Sequence, residues 1–88
     1  MSVYVDGEAN AFGRMIMCHM MADSLEELHA MADKIGMRRA WYQPLSTPHY
    51  DISKSRRAMA IKQGAIEIDR QRTVEIIREW RNKQKETQ

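Results

Sequence analysis

Cysteine occurs once in this chain, at Cys18, so an internal disulfide is excluded. Cys18 sits in an apolar run without a C-x-x-C partner, which reads as a small buried hydrophobe and suits a reducing compartment. No apolar run approaches the length needed to cross a bilayer. The N-terminus lacks the basic-then-apolar pattern of a signal peptide, and the expected location is the cytoplasm. There is no glycine-rich phosphate loop, no nucleophile elbow around Ser53 or Ser55, no internal repeat and no low-complexity segment. With 88 residues there is no room for a second core.

What is present describes an ordinary globular protein, with 43% hydrophobic and 30% charged residues. Eight methionines are many for this length, and Met15, Met17, Met20 and Met21 crowd one segment. They read either as core filling or as an adaptable binding surface. The net charge of +2 is uneven: residues 1–52 hold four Lys/Arg against seven Asp/Glu, and residues 53–88 hold ten against five. The basic half could face an anionic partner or form a solvated helical face.

The pattern of residues predicts an α/β fold, a small single domain over residues 1–83 with a frayed tail at 84–88. The predicted order is β-β-α-β-α-β-α, in a mixed, partly parallel sheet with helices packed on it. The strands are Ser2–Val5, Arg14–Ala22, Arg39–Gln43 and Ala65–Ile68. DGEANAFG between the first two, and PLSTP after the third, read as loops. In the second strand, Met15, Met17, His19 and Met21 would share one face. Ser24 and Glu27 form a capping box for a helix to about Ile35, closed by Gly36. Leu25, Leu28, Met31, Ala32 and Ile35 make its inward face, with His29 one position off that stripe. A second helix spans about Lys54–Gln63 after an Ser53 N-cap, with Ala58 and Ile61 inward and Gly64 at its end. Asp69 caps a last helix to about Lys83, with Val74, Ile77, Trp80 and Ile76 inward.

The stretch from His49 to Ile68 concentrates the chemistry. His49, Tyr50 and Asp51 can bind or catalyse, and Lys54, Arg56 and Arg57 fall at a helix start. A helix N-terminus carries partial positive charge and free N–H groups, so this junction suits an anion such as phosphate. Strand ends followed by Asp6, Asp23 and the His49 loop could converge on one cleft. The expected cleft is lined by Asp6, His19, His49, Asp51 and Arg56, with His29 at its wall and Tyr50, Lys54 and Arg57 close by. Truncating Arg56 would then cost binding and little stability. Trp41 or Tyr42 could stack on a base.

Three readings of function remain open. The first is recognition of an anionic, nucleotide-like or phosphate-bearing small molecule. The second is a phosphoester hydrolase using His49 and Asp51, with or without a metal. The histidines and Asp6, Asp23 and Asp51 are ligand types for zinc, manganese or iron, but the histidine spacings of ten and twenty residues fix no motif and leave any cofactor unknown. The third is an interaction module. Arg70, Arg72, Arg78, Arg81, Lys83 and Lys85 make the last helix basic enough to suggest nucleic acid, although Glu75, Glu79 and Glu86 interrupt it. Its apolar stripe also suits a homodimer.

An ordered set of residues carries a resemblance. VYVD at Val3–Asp6, Gly13-Arg14, His19, ELH at Glu27–His29, Gly36, HYD at His49–Asp51, Arg56 and Gly64-Ala65 follow one another as in an uncharacterised family. It is a domain-of-unknown-function family of short bacterial and bacteriophage proteins, and the resemblance runs from about Ser2 to Glu79. It carries over no activity. It implies that Asp6, His19, His29, His49, Asp51 and Arg56 belong to one pattern. The methionine-rich second strand, the PLST insertion before HYD and the KQKETQ tail depart from that pattern.

Overall fold

The computed structural model describes residues 2–7, 10–12, 15–44 and 47–86. Gly13-Arg14, part of the predicted loops (Glu8-Ala9 and Leu45-Ser46) and the end of the tail (Thr87-Gln88) lie outside the described residues. The strands are β1 (Val3–Asp6), β2 (Asn10–Phe12), β3 (Met15–Ala22), β4 (Tyr50–Ser53) and β5 (Ile66–Ile68). The helices are α1 (Leu25–Lys34), α2 (Lys54–Lys62) and α3 (Arg70–Glu86), with a 3-10 turn at Arg39–Trp41.

The class is as the sequence predicts, a mixed α/β sheet with helices packed on it. Two of its strands come from other residues. The predicted strand Arg39–Gln43 is replaced by the 3-10 turn, and only Gln43 pairs, in a single antiparallel bridge with His49. Of the two aromatic residues that suggest a strand there, Tyr42 packs against the core from its edge, whereas Trp41 is 45% exposed. The strand falls instead at Tyr50–Ser53, in the stretch read as a loop. Part of the DGEANAFG loop also pairs, as β2.

β3 organises the sheet. β1, β2 and β4 all pair with it antiparallel, and β1 pairs parallel with β5. Met17 has partners in both β2 and β4, and Met20 in both β1 and β4, so β4 runs along one edge of β3 and β1 and β2 along the other. The parallel part of this partly parallel sheet does not fall at the segments flanking α1. The Gln43–His49 bridge turns the chain back, and β4 re-enters antiparallel to β3. The parallel part of the sheet is β1 with β5.

Alternation along the strands divides the side chains between two layers. Val3, Val5, Cys18, Met20, Ala22, Tyr50 and Ile52 pack against Leu28, Met31, Ala32 and Ile35 of α1 and Ala60 of α2. On the other face, Tyr4 and Met21 meet Ile76 of α3, with Ile68, Ile77 and Trp80 packed around them. Three inward assignments change. Leu25 and Val74 are exposed, and Ala60 rather than Ala58 is the buried alanine of α2.

The helix ends follow their local chemistry. The Ser24 hydroxyl accepts the Glu27 N–H at 3.2 Å and donates to the Glu27 carboxylate at 3.0 Å. Ser53 accepts the Arg56 N–H, and Asp69 accepts the Arg72 N–H. Gly36 and Gly64 follow α1 and α2 with φ of 77° and 106°, a region L side chains rarely enter. Ser24→Ala is expected to lower stability by about 1 kcal/mol, as N-cap loss usually does. A urea midpoint equal to that of the unmodified protein would show that this cap contributes nothing.

α3 is tied to the sheet at its far end. Trp80 Nε1–H donates to the Ala22 carbonyl at 2.9 Å and Lys83 Nζ to the Asp23 carbonyl at 3.0 Å. Asp23 itself accepts from the Ser2 amide and the Tyr4 hydroxyl. No helix among the described residues is long and apolar enough to cross a membrane.

Candidate functional site

The site lies on the α3 side of the sheet. In the β3–β4 register His19 stands directly opposite Asp51. Val5 pairs with Met20, which brings Asp6 beside His19 on the next strand. Asp6, His19 and Asp51 thus form a row across three strands. His49 precedes Asp51 by two residues, so strand alternation puts both on one side of the chain. The His19 and His49 rings meet edge to face, with centroids 5.5 Å apart.

Hydrogen bonds orient each ring. Asp6 is buried, and its two oxygens take the His19 backbone N–H at 2.9 Å and His19 Nδ1 at 2.7 Å. His49 Nδ1 lies 2.7 Å from the Thr47 carbonyl. A carbonyl or carboxylate oxygen can only accept, so Nδ1 of each ring carries the proton, and Nε2 of the neutral ring is an acceptor. Both Nε2 atoms face the same carboxylate oxygen, Asp51 Oδ1, at 3.7 Å from His19 and 3.6 Å from His49. Gln43 Nε2 donates to the other oxygen, Asp51 Oδ2, at 2.6 Å.

Three electron-pair donors therefore converge, all within 4.8 Å of one another. Such an arrangement suits a cation. Ligand atoms about 2.0–2.2 Å from a zinc-like ion stand roughly 3–3.6 Å apart, close to the 3.7 and 3.6 Å that separate His19 Nε2 and His49 Nε2 from Asp51 Oδ1. Nitrogen and carboxylate donors in this ratio fit zinc, manganese or iron. The partners of the non-ligating atoms, Asp6, the Thr47 carbonyl and Gln43, are the kind of support that fixes ring orientation at metal centres.

The other candidates lie elsewhere. His29 projects from α1 to the opposite layer, where Nδ1 is 2.8 Å from the Tyr50 hydroxyl and its ring stacks edge-on against Tyr42. Tyr50 is fully buried in that layer, and burial pushes its hydroxyl above the ordinary tyrosine pKa. Arg56 donates to the Ile35 and Gly36 carbonyls at 3.2 and 3.4 Å, satisfying the C-terminal end of α1. Arg57 donates to the Asp6 carbonyl at 2.8 Å and pairs with Glu67 at 3.0 Å. Lys54 is exposed at the first position of α2. The structure thus gathers Asp6, His19, His49 and Asp51, and leaves His29 and Tyr50 across the sheet. Arg56 and Arg57 fasten α2 to its neighbours. Burial also raises the Cys18 thiol pKa, followed by the charge of Asp6, as expected for an unreactive core thiol.

Two clefts flank the cluster. One, of about 500 Å³, borders Asp51 and is walled by Met17, Trp41, Tyr42, Gln43 and Arg56. The other, of about 280 Å³, lies between His19, His49, Thr47 and the Thr73–Ile77–Arg81 face of α3. Thr47 and Arg81 are site residues that the sequence did not single out. Thr47 looked like loop, and Arg81 was one cation among many on α3.

The fold and the cluster together describe a small α/β domain with a histidine–carboxylate centre on its sheet. Residues 3–80 match the family described as protein of unknown function (DUF4031), and the chain belongs to that family. No curated protein and no solved structure matches it.

Proposed function

We propose that this protein binds a divalent metal ion through His19 Nε2, His49 Nε2 and Asp51 Oδ1, and uses it to hydrolyse a small phosphate ester. One observation carries the reading: two imidazole nitrogens, each set by a bond at Nδ1, face a single carboxylate oxygen at 3.6–3.7 Å. Three protein ligands leave coordination positions open, the mark of catalytic rather than structural metal sites. An ion held by His19, His49 and Asp51 would supply Lewis acidity and a water of lowered pKa, the chemistry that phosphate-ester hydrolysis needs. The larger cleft beside Asp51 suits the organic part of the substrate, with Trp41 as an exposed stacking surface.

Purified without chelator, the protein is expected to hold close to one equivalent of metal by elemental analysis. Chelation should lower its melting temperature, since a ligand bound only by the folded state stabilises it. Metal affinity should fall as pH is lowered, because both imidazoles must be neutral to coordinate. Protein that takes up no zinc, manganese or iron after dialysis against each would end this reading.

A further inference from the structure

We infer that the cleft between the two histidines and α3 is the phosphate-binding part of the metal centre, with Arg81 and Thr47 as its donors. The inference rests on the metal reading above and gives it a substrate orientation.

Thr47 points to it first. The residue is 4% exposed, and its Oγ1 is a buried hydroxyl with no hydrogen-bond partner among the described residues. Leaving such a group unsatisfied is costly, and sites that hydrogen-bond a ligand are a common reason for one. Thr47 borders the same cleft as His19 and His49, and its carbonyl already positions the His49 ring.

Arg81 points to it independently. Thr73, Ile77 and Arg81 are four residues apart on α3 and so lie along one face of the helix. That face lines the cleft. Of the cations of α3, Arg72 pairs with Glu75 and Glu79 and Lys83 donates to the Asp23 carbonyl, while Arg70 and Arg78, like Arg81, have no such partner among the described residues but do not line the cleft. Arg81 forms no hydrogen bond or ion pair with the described residues. Its guanidinium offers a planar fork suited to two oxygens of one phosphate.

A phosphoryl group would place one oxygen on the metal and others toward Arg81 and the Thr47 hydroxyl. Thr73 adds no donor, because its hydroxyl proton goes to the Asp69 carbonyl at 2.9 Å. Met21 and Ile77 close the cleft with apolar surface. At about 280 Å³ it is at the low end of small-molecule sites, so it fits a phosphoryl group and little more. The rest of the ester must extend out of it.

The test titrates inorganic phosphate into zinc-loaded protein by calorimetry, with metal content measured on each sample. Arg81→Ala should keep its metal and bind phosphate about 10- to 100-fold more weakly, as for loss of a charged hydrogen bond. Arg81→Lys should recover part of the loss. Thr47→Val should weaken phosphate by a smaller factor, again at unchanged metal content. Unmodified zinc protein that binds no phosphate, or Arg81→Ala protein that binds it as tightly, overturns the assignment of this cleft. If the unmodified protein takes up no metal, the metal reading fails instead, and elemental analysis separates that result from the other two.

Discussion

Asp51→Ala protein is expected to lose its metal while keeping its fold. Asp51 Oδ1 is the atom that both histidine Nε2 atoms face, so in the proposed site its removal takes away one ligand and the negative charge that would hold an ion between the two rings. Changes to residues that merely support a metal ligand already cost about 10- to 100-fold in affinity, and losing a ligand should cost at least as much. The folded chain has less reason to object. The Asp51 side chain is 19% exposed, and the Gln43 amide that it accepts from can turn to water. The metal-free variant should therefore lie within about 1 kcal/mol of metal-free unmodified protein in urea, the net worth of one ordinary hydrogen bond. Elemental analysis and a urea titration read the two quantities separately. Retention of a full equivalent of metal by Asp51→Ala would remove Asp51 from the ligand set.

The next residue should behave in the opposite way. Ile52 is fully buried in the layer shared with α1 and α2. Ile52→Ala removes three carbons from a packed core, a change that typically costs about 2–5 kcal/mol because the cavity collapses only partly. The urea midpoint should drop accordingly at an unchanged slope, while molecules that remain folded still bind metal. A loss below about 1 kcal/mol would mean that the layer under β4 is loosely packed. Together the two variants test whether neighbouring residues serve opposite faces of one strand.

Much of this arrangement is written locally. Ser24, Ser53 and Asp69 cap the three helices, and Gly36 and Gly64 follow the first two, because capping chemistry acts over a few residues. The strands were less legible. Arg39–Gln43 has aromatic residues of strand type, but a 3-10 turn leaves Trp41 exposed, and nothing nearby in sequence signals that. β2 forms because the long edge of β3 offers partners, which is a tertiary cause. Yet the polar–apolar alternation His49, Tyr50, Asp51, Ile52, Ser53 has the two-residue period of a half-buried strand and could have been read as one. It would have separated His49 and Asp51 from Tyr50. The pairing of Asp6 with His19, and of His19 with Asp51, depends on register between distant segments, which spacing in the chain does not encode. For the same reason His29 could not be told from His19: both are histidines near apolar residues, and only the sheet decides which side each occupies. Arg56 and Arg57 drew attention as cations at a helix start, whereas their long side chains reach carbonyl groups brought near by folding.

β4 also constrains how the chain can change in length. Its four residues alternate between the core and the histidine–carboxylate centre, so an insertion or deletion inside Tyr50–Ser53 would turn Asp51 inward and Ile52 outward at one stroke. Between Gln43 and Thr47 that inversion does not arise, because the Gln43–His49 bridge fixes the re-entry of the strand and Thr47, buried and bound through its carbonyl to the His49 ring, keeps its spacing to it. Variation in loop length ahead of Thr47 can therefore accumulate beside the centre, reshaping access to it, without disturbing His49, Asp51 or the packing behind them.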